Sequence, residues 1–173
     1  MITISPITPQ NVWIFKAVRL RALQDAPLAF GATFAKESQL PDSDWIRRVE
    51  RMNGNTGVGF LAIDKDKDED KDDDSACGIA GSFLDQIDLS RAELISMWTA
   101  PTHRQRGVGR LLVDEVLKWA RRRNARVLRL MVVGNNDSAI RFYERLGFTR
   151  TGRTQPYPND PTLIEYEMSR DIP

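Results

Sequence analysis

The sequence predicts a mixed α/β domain: short strands and helices lead the chain, and two strand-then-helix units follow before two closing strands. Three observations carry that expectation. Leu94-Ile-Ser-Met-Trp-Thr-Ala100 is an apolar run ended by Pro101. After it come apolar residues at helical spacing, Val108, Leu112, Val116, Trp119 and Ala120, with Leu111 and Val113 widening the stripe. Val127-Leu-Arg-Leu-Met-Val-Val133 is a second strand-like run that leads into a helix.

Taken in order, Ile2, Ile4 and Ile7 mark a first strand. Residues 9–25 read as a helix, with Val12, Phe15, Val18 or Arg19, and Ala22 or Leu23 on related faces, and Pro27-Leu-Ala-Phe-Gly31 breaks it. A second helix starts near Ser43, behind Pro41, and runs through Trp45, Ile46 and Val49. Residues 56–64 and 76–85 form a strand pair, and the strand at 91–100 leads to the helix at Val108. Strand 126–133, a helix from Asn136, and strands 149–153 and 163–170 complete the chain. The stretch Arg153-Thr-Gln-Pro-Tyr157-Pro reads as a loop between the last two strands.

Size and composition narrow the function classes. The 173 residues, 41% apolar and 28% charged, suit one domain, 1–173, with a full core. A net charge of +1 exerts no general pull on nucleic acid or membrane. No apolar run approaches the roughly 18 residues of a membrane span, and Met1-Ile-Thr-Ile-Ser-Pro lacks a signal-peptide layout. One cysteine, Cys77, excludes an internal disulfide and a cysteine-cluster metal site, and is expected as a small buried hydrophobe. A cytoplasmic location follows as the default. Residues 64–74 hold eight acids and three lysines. They lack the glycine and terminal glutamate of an EF-hand, so residues 64–75 read as a solvated acidic connection outside the chemistry. Arg121-Arg-Arg123, with Arg126 and Arg129, has no interleaved aromatics and reads as a solvated helix end rather than an RNA surface.

Chemistry concentrates between the strand at 94–100 and the next helix, in Arg104-Gln-Arg-Gly-Val-Gly109-Arg-Leu-Leu112. A strand, a glycine loop and a helix N-terminus present bare N–H groups and the positive helix end to an anion. A dinucleotide fingerprint would need a third glycine where Leu112 stands, and a P-loop would need Lys-Ser/Thr after its second glycine. Neither fits. A second motif follows the next strand: Asn136-Asp-Ser-Ala139-Ile-Arg-Phe142-Tyr143-Glu-Arg-Leu-Gly147-Phe148. Asn136 is a natural N-cap, Ala139, Phe142, Tyr143 and Leu146 share a helical face, and Gly147 is a natural stop.

Arg-x-x-Gly-x-Gly resembles the acyl-CoA loop of the GCN5-related N-acetyltransferases (GNAT), and the second motif matches that family's Asn-x-x-Ala-x-x-Phe-Tyr-x-x-x-Gly-Phe pattern. The resemblance is strongest from Glu93 to Phe148. It implies a mostly antiparallel sheet split near its centre, with helices on both faces and the cofactor in the gap. It implies acetyl-CoA as co-substrate and no metal. Backbone amides of Gln105, Arg106, Gly107, Gly109 and Arg110 would hold the pyrophosphate, with Arg104 opening the motif and Asn136 on the cofactor side. The arginines at 104, 106 and 110 would face the 3′-phosphate. Trp98 and Thr99 would pair with the pantetheine arm through their main chain, and the Met97 N–H would meet the acetyl carbonyl. Tyr143 would protonate the leaving thiolate, and Glu93 would be the general base. His103, the only histidine, is expected as an exposed loop residue.

The resemblance implies an N-acetyltransferase acting directly on a primary amine of a small molecule or an exposed peptide. The alternative is a non-catalytic acyl-CoA sensor module. No nucleic-acid or membrane partner is expected, and a homodimer stays open. The acceptor walls are sought in residues 28–34, in the second helix and in the stretch from Arg153, with Phe34, Trp45 and Tyr157 as candidate aromatics. The segment from Arg19 to Phe34 resembles a bacterial GNAT subgroup of undefined acceptor.

Overall fold

The computed structural model describes residues 1–66 and 75–173. Among them, seven strands form one sheet: β1 (Ile2–Pro6), β2 (Gly57–Asp64), β3 (Ala76–Leu84), β4 (Arg91–Thr99), β5 (Val127–Val133), β6 (Thr149–Tyr157) and β7 (Asp160–Asp171). The order is β1-β2-β3-β4-β5-β7-β6, and only β4 and β5 run parallel. The helices are α1 (Val12–Asp25), α2 (Phe34–Glu37), α3 (Asp42–Met52), α4 (Val108–Arg122) and α5 (Asp137–Arg145). No helix among the described residues is long and apolar enough to cross a membrane.

Helices cover both faces of the sheet. Gly78 of β3 turns toward Leu112 of α4, while Gly59 of β2 turns the other way, toward Met52 of α3. β3 is accordingly buried along both faces, except at Phe83. The stripe expected on α4 is its core face, with Val108, Leu112, Val113, Val116, Trp119 and Ala120 buried; Leu111 instead stands 41% exposed. On the other side, the Phe15 ring of α1 meets Trp45 of α3 edge-on at 5.6 Å between centroids, and both are buried. Cys77 is buried as expected.

Three expectations are corrected. The stretch from Arg153 is not a loop: β6 runs on to Tyr157, with Gln155 and Pro156 opposite Glu165 and Ile164 of β7. β6 is an edge strand exposed to solvent up to Tyr157, so it shows no apolar alternation and tolerates a proline. His103 is not exposed. It is 2% accessible, and its Nε2 lies 2.9 Å from Asp64 Oδ2 while Nδ1 lies 2.8 Å from Thr102 Oγ1. Asp64 in turn does not belong to a solvated segment but ends β2, buried. The turn Pro101–His103 folds back over that strand end, with the Ala100 N–H donating to Cys77 O at 2.8 Å. Residues 67–74 of the acidic stretch lie outside the described residues.

The His103 hydrogen bond, helped by the Asp66 amide, holds the Asp64 carboxyl down at about 2, from an ordinary 3.8. A carboxyl depressed in the folded state stabilises the protein above its unfolded value and loses that contribution as pH falls through its folded value. The urea midpoint is therefore expected to drop between pH 4 and pH 2 more steeply in the native protein than in Asp64→Asn. Equal slopes in the two would remove this pair from the acid response.

Candidate active site

Three local departures from regular structure build one cleft. The first is in the loop before α4. Gln105 and Gly107 both have positive φ, 61° and 82°, which turns successive amides outward as in an anion nest. The amides of Gln105, Arg106 and Gly107 donate to no carbonyl among the described residues, and those of Val108, Gly109 and Arg110 are first-turn helix donors. Arg106 and Arg110 are exposed. Arg104 is engaged elsewhere: its Nε donates to Thr99 O at 3.1 Å and its Nη2 contacts Asp25, which tethers the loop to the end of β4.

Gly109 serves another purpose. A Cβ there would lie 2.9 Å from Cζ of Phe142 and 3.1 Å from Cε of Met97. Its bare backbone lets the first turn of α4 pack directly on α5 and on β4.

The second departure is the split. β4 and β5 pair only at Arg91–Val127, Ala92–Leu128 and Glu93–Arg129. Beyond Glu93 they part, and β4 carries a bulge between its partners Ile79 and Gly81 of β3. Ser96 sits in that bulge at φ 56°, a strained value for a non-glycine residue. Its Oγ accepts from Arg19 Nη1 at 2.8 Å. Arg19 is itself fixed by Glu37, which accepts from its Nε and Nη2 at 3.0 Å each, and by the face of Phe30 at 4.6 Å. Arg48 closes the triad at 3.1 Å from Glu37. Burial alone would raise the Glu37 carboxyl, but the two guanidinium groups outweigh it and hold it low.

The third is the entrance to α5. Asn136 caps the helix, its Oδ1 accepting from the Ala139 amide at 3.2 Å. The cap directs Tyr143 into the split, its ring packed against Phe142 and Phe148 at 5.1 and 5.7 Å. The hydroxyl of Tyr143 has no hydrogen-bond partner among the described residues, and burial pushes its pKa up. It is a protonated donor without an acceptor.

Together these features enclose a cleft of about 400 Å³ that passes through the sheet. On the α5 side it is lined by Asn136, Ala139 and Tyr143; on the other by Arg19, residues 28–32 and Glu165. Glu93 and Met97 line it from β4. Glu93 also borders a second cavity of about 320 Å³ with Arg129, Met131 and Arg153. Burial pushes the Glu93 carboxyl up, and the Arg129 charge, 3.3 Å away, only partly opposes this because Arg129 also holds Asp85 at 2.8 Å.

Of the residues singled out in the sequence, Glu93, Met97, Asn136 and Tyr143 meet in the cleft. Trp98 is a core residue whose Nε1 donates to Asp25 at 2.8 Å, and Thr99 ends the same strand. Residues 28–32 wall the cleft as expected, but Phe34, Trp45 and Tyr157 do not. Tyr157 instead donates to Phe30 O at 2.6 Å and fastens that wall. Arg129 leaves the basic helix end and turns into the site. Arg19, Ser96 and Glu165 were not singled out. Arg19 had one visible signal, a charge on the otherwise apolar buried face of a helix. No group of three or more His, Cys, Asp or Glu suited to a metal occurs among the described residues.

A model of the Acetyltransferase (GNAT) family matches residues 23–148. Over 107 residues the chain is 34% identical to the streptothricin acetyltransferase of Escherichia coli, covering 53% of this chain and 60% of that protein. It is 34% identical over 79 residues to the N-alpha-acetyltransferase RimI of Mycobacterium tuberculosis, covering 46% and 48% respectively. The chain thus spans 60% or less of the length of these two curated relatives. A solved acetyltransferase of the GNAT family from Streptococcus pneumoniae has the same fold, with a TM-score of 0.78 over 100% of both chains at 19% identity.

The contact at Gly109 gives a direct test of the loop packing. Gly109→Ala gains less than about 1 kcal/mol of helix propensity but overpacks against Phe142, at a cost of about 1–3 kcal/mol. Chemical denaturation is expected to show a net loss that Phe142→Leu relieves in the double variant. A neutral or stabilising Gly109→Ala would mean that the rings move aside freely.

Proposed function

The chain belongs to the GNAT acetyltransferase family, and from that premise we propose that it moves an acetyl group from acetyl-CoA to a primary amine of a small molecule or an exposed peptide. The observation that carries the proposal is the unbound hydroxyl of the buried Tyr143 side chain, which shares one cleft with Glu93 and with the stretch of β4 that β5 leaves unpaired. A cytoplasmic site of action goes with this reading.

The donor site fits the residues present. Acetyl-CoA supplies an activated thioester. The outward amides from Gln105 to Arg110 bind its diphosphate, with Arg106 and Arg110 free to meet the 3′-phosphate. Arg104 keeps its place in the motif as the tether of the loop. The edge of β4 that β5 leaves unpaired receives the pantetheine arm along Trp98 and Thr99, and the Met97 N–H polarises the acyl oxygen. Asn136 shapes this side by holding α5.

Two groups move protons. Glu93, with its carboxyl raised by burial, accepts the proton that the incoming ammonium must lose, directly or through water. Tyr143 gives its proton to the departing sulfur and is reprotonated by the second proton that the nitrogen sheds as the amide forms. A buried phenol with a raised pKa is protonated at neutral pH, so it meets the departing sulfur with its proton in place. An acyl-CoA sensor would share the phosphate loop, but the free Tyr143 hydroxyl and the raised Glu93 carboxyl favour catalysis.

Release of the CoA thiol, followed over a panel of amines, tests the reading. Tyr143→Phe is expected to lower kcat by about 10²-fold or more with little change in CoA affinity. Unchanged turnover would take Tyr143 out of the mechanism. Glu93 must be ionised to work, so kcat/KM should fall on acidification through a value above the ordinary 4.5 of a glutamate. In Glu93→Gln that acid limb should vanish along with most of the rate. An acid limb that persists in the variant would belong to another group.

A further inference from the structure

The acceptor side of the cleft contains a buried carboxylate that no cation matches. Glu165 of β7 is 9% exposed and lines the cleft. Its Oε2 accepts from the Gln155 amide at 2.7 Å, and its Oε1 has no hydrogen-bond partner among the described residues. It forms no ion pair with a described residue. The unpartnered oxygen is not sealed off from solvent, so a cation arriving in the cleft can reach it and pair with it.

Of the other charges nearby, Arg19 and Arg129 are engaged by carboxylates, while Arg153 has no ion pair among the described residues. Arg19 is the only basic residue among those lining this cleft, and Glu37 and Ser96 take its donors. Arg129, in the adjoining cavity, is shared between Asp85 and Glu93. Arg153 borders that second cavity beside Glu167, whose Oε1 accepts from Thr151 Oγ1 at 2.9 Å. Glu165 alone faces the cleft with its charge unmatched.

Strand register places Glu165 relative to the reacting end. Glu93 stands beside Arg129, so Met97, one bulge further along β4, is level with the end of β5, where Val133 pairs with Glu165. Two strand spacings then separate Met97 from Glu165, at least about 10 Å between backbones. A diamine of about five carbons, roughly 7 Å between its nitrogens, and a hydrogen bond of about 3 Å to the carboxylate together span a gap of that size. Met131 and Val133, on the same face of β5, offer an apolar floor for the chain between the two amines.

We propose that Glu165 anchors a second positive charge on the acceptor, which is therefore an aliphatic amine carrying another cationic group about five carbons from the one acetylated. This rests on the acetyltransferase reading for the position of the reacting end. The probes are 1,5-diaminopentane and pentylamine, which differ only in the terminal cation. They are titrated calorimetrically into the protein and into Glu165→Gln, with CoA present. The native protein is expected to bind the diamine about ten- to a hundredfold more tightly, the worth of a charge-assisted hydrogen bond, and the variant is expected to bind the two alike.

Equal binding by the native protein, or a preference that survives in Glu165→Gln, overturns the anchor. If the variant does not fold, the native ratio decides: a ratio near one overturns the proposal, and a ratio that shrinks with added salt supports it. Turnover separates this inference from the reading beneath it. Pentylamine acetylated as readily as the diamine defeats the anchor and leaves the acetyltransferase intact. Diamine held through Glu165 with no CoA thiol released from acetyl-CoA supports the anchor and defeats the transferase reading.

Discussion

The site depends on one broken seam. β4 and β5 are held together by three residue pairs and then separate, although both continue as strands for several residues. Parallel neighbours of that length would ordinarily pair throughout. What keeps them apart is the bulge at Ser96, a strained backbone that persists only because its surroundings fix it. Arg19 does much of the fixing: its guanidinium is bonded by Glu37, stacked on Phe30 and aimed at the Ser96 hydroxyl. A buried ion pair of this kind contributes little net stability, but removing one partner is costly. Its value here is geometric, because it ties α1 and α2 to the one point of the sheet where the ladder must stop.

The split exposes backbone groups on β4 and opens a route from one face of the sheet to the other. The two faces then carry different chemistry. Tyr143, Asn136 and the loop before α4 lie on one side, where an anionic, phosphate-bearing ligand is favoured by outward amides and exposed arginines. Glu93, Glu165 and Glu167 lie on the other, where Arg129 is shared between Asp85 and Glu93. In the proposed reaction, an anionic donor and a cationic acceptor would enter by opposite mouths of the same opening. The two signature segments are also in direct contact, since Gly109 has room only for Phe142 and Met97. The start of α4 and the Tyr143 helix are one packed unit.

Much of this was legible in the sequence, and the rest was hidden for physical reasons. The strands and helices of the middle of the chain were visible because each buries a face and so shows a period. The glycine loop and the Asn136 motif were visible because their backbones need particular residues. β6 was half missed because an exposed edge strand has no face to bury, and Pro156 reads as a loop. His103 and Asp64 were both taken for solvated residues, since a pair 39 positions apart leaves no local trace. Ser96 was invisible because nothing about a serine announces a left-handed bulge. Glu165 was missed because its burial depends on a cleft that forms only when β4, β5 and β7 are placed together.

Tyr157 reaches back 127 residues to the Phe30 carbonyl, and β7, the last strand in the chain, lies inside the sheet between β5 and β6. Order of synthesis therefore matters. A nascent chain that has emerged only as far as Phe148 already carries the loop before α4, Glu93, Met97 and Tyr143. It has neither Glu165 nor the tyrosine that fastens residues 27–30. Half of the opening would exist before the other half has been translated. The wall that carries Glu165 is therefore assembled only when the β6–β7 hairpin closes onto β5.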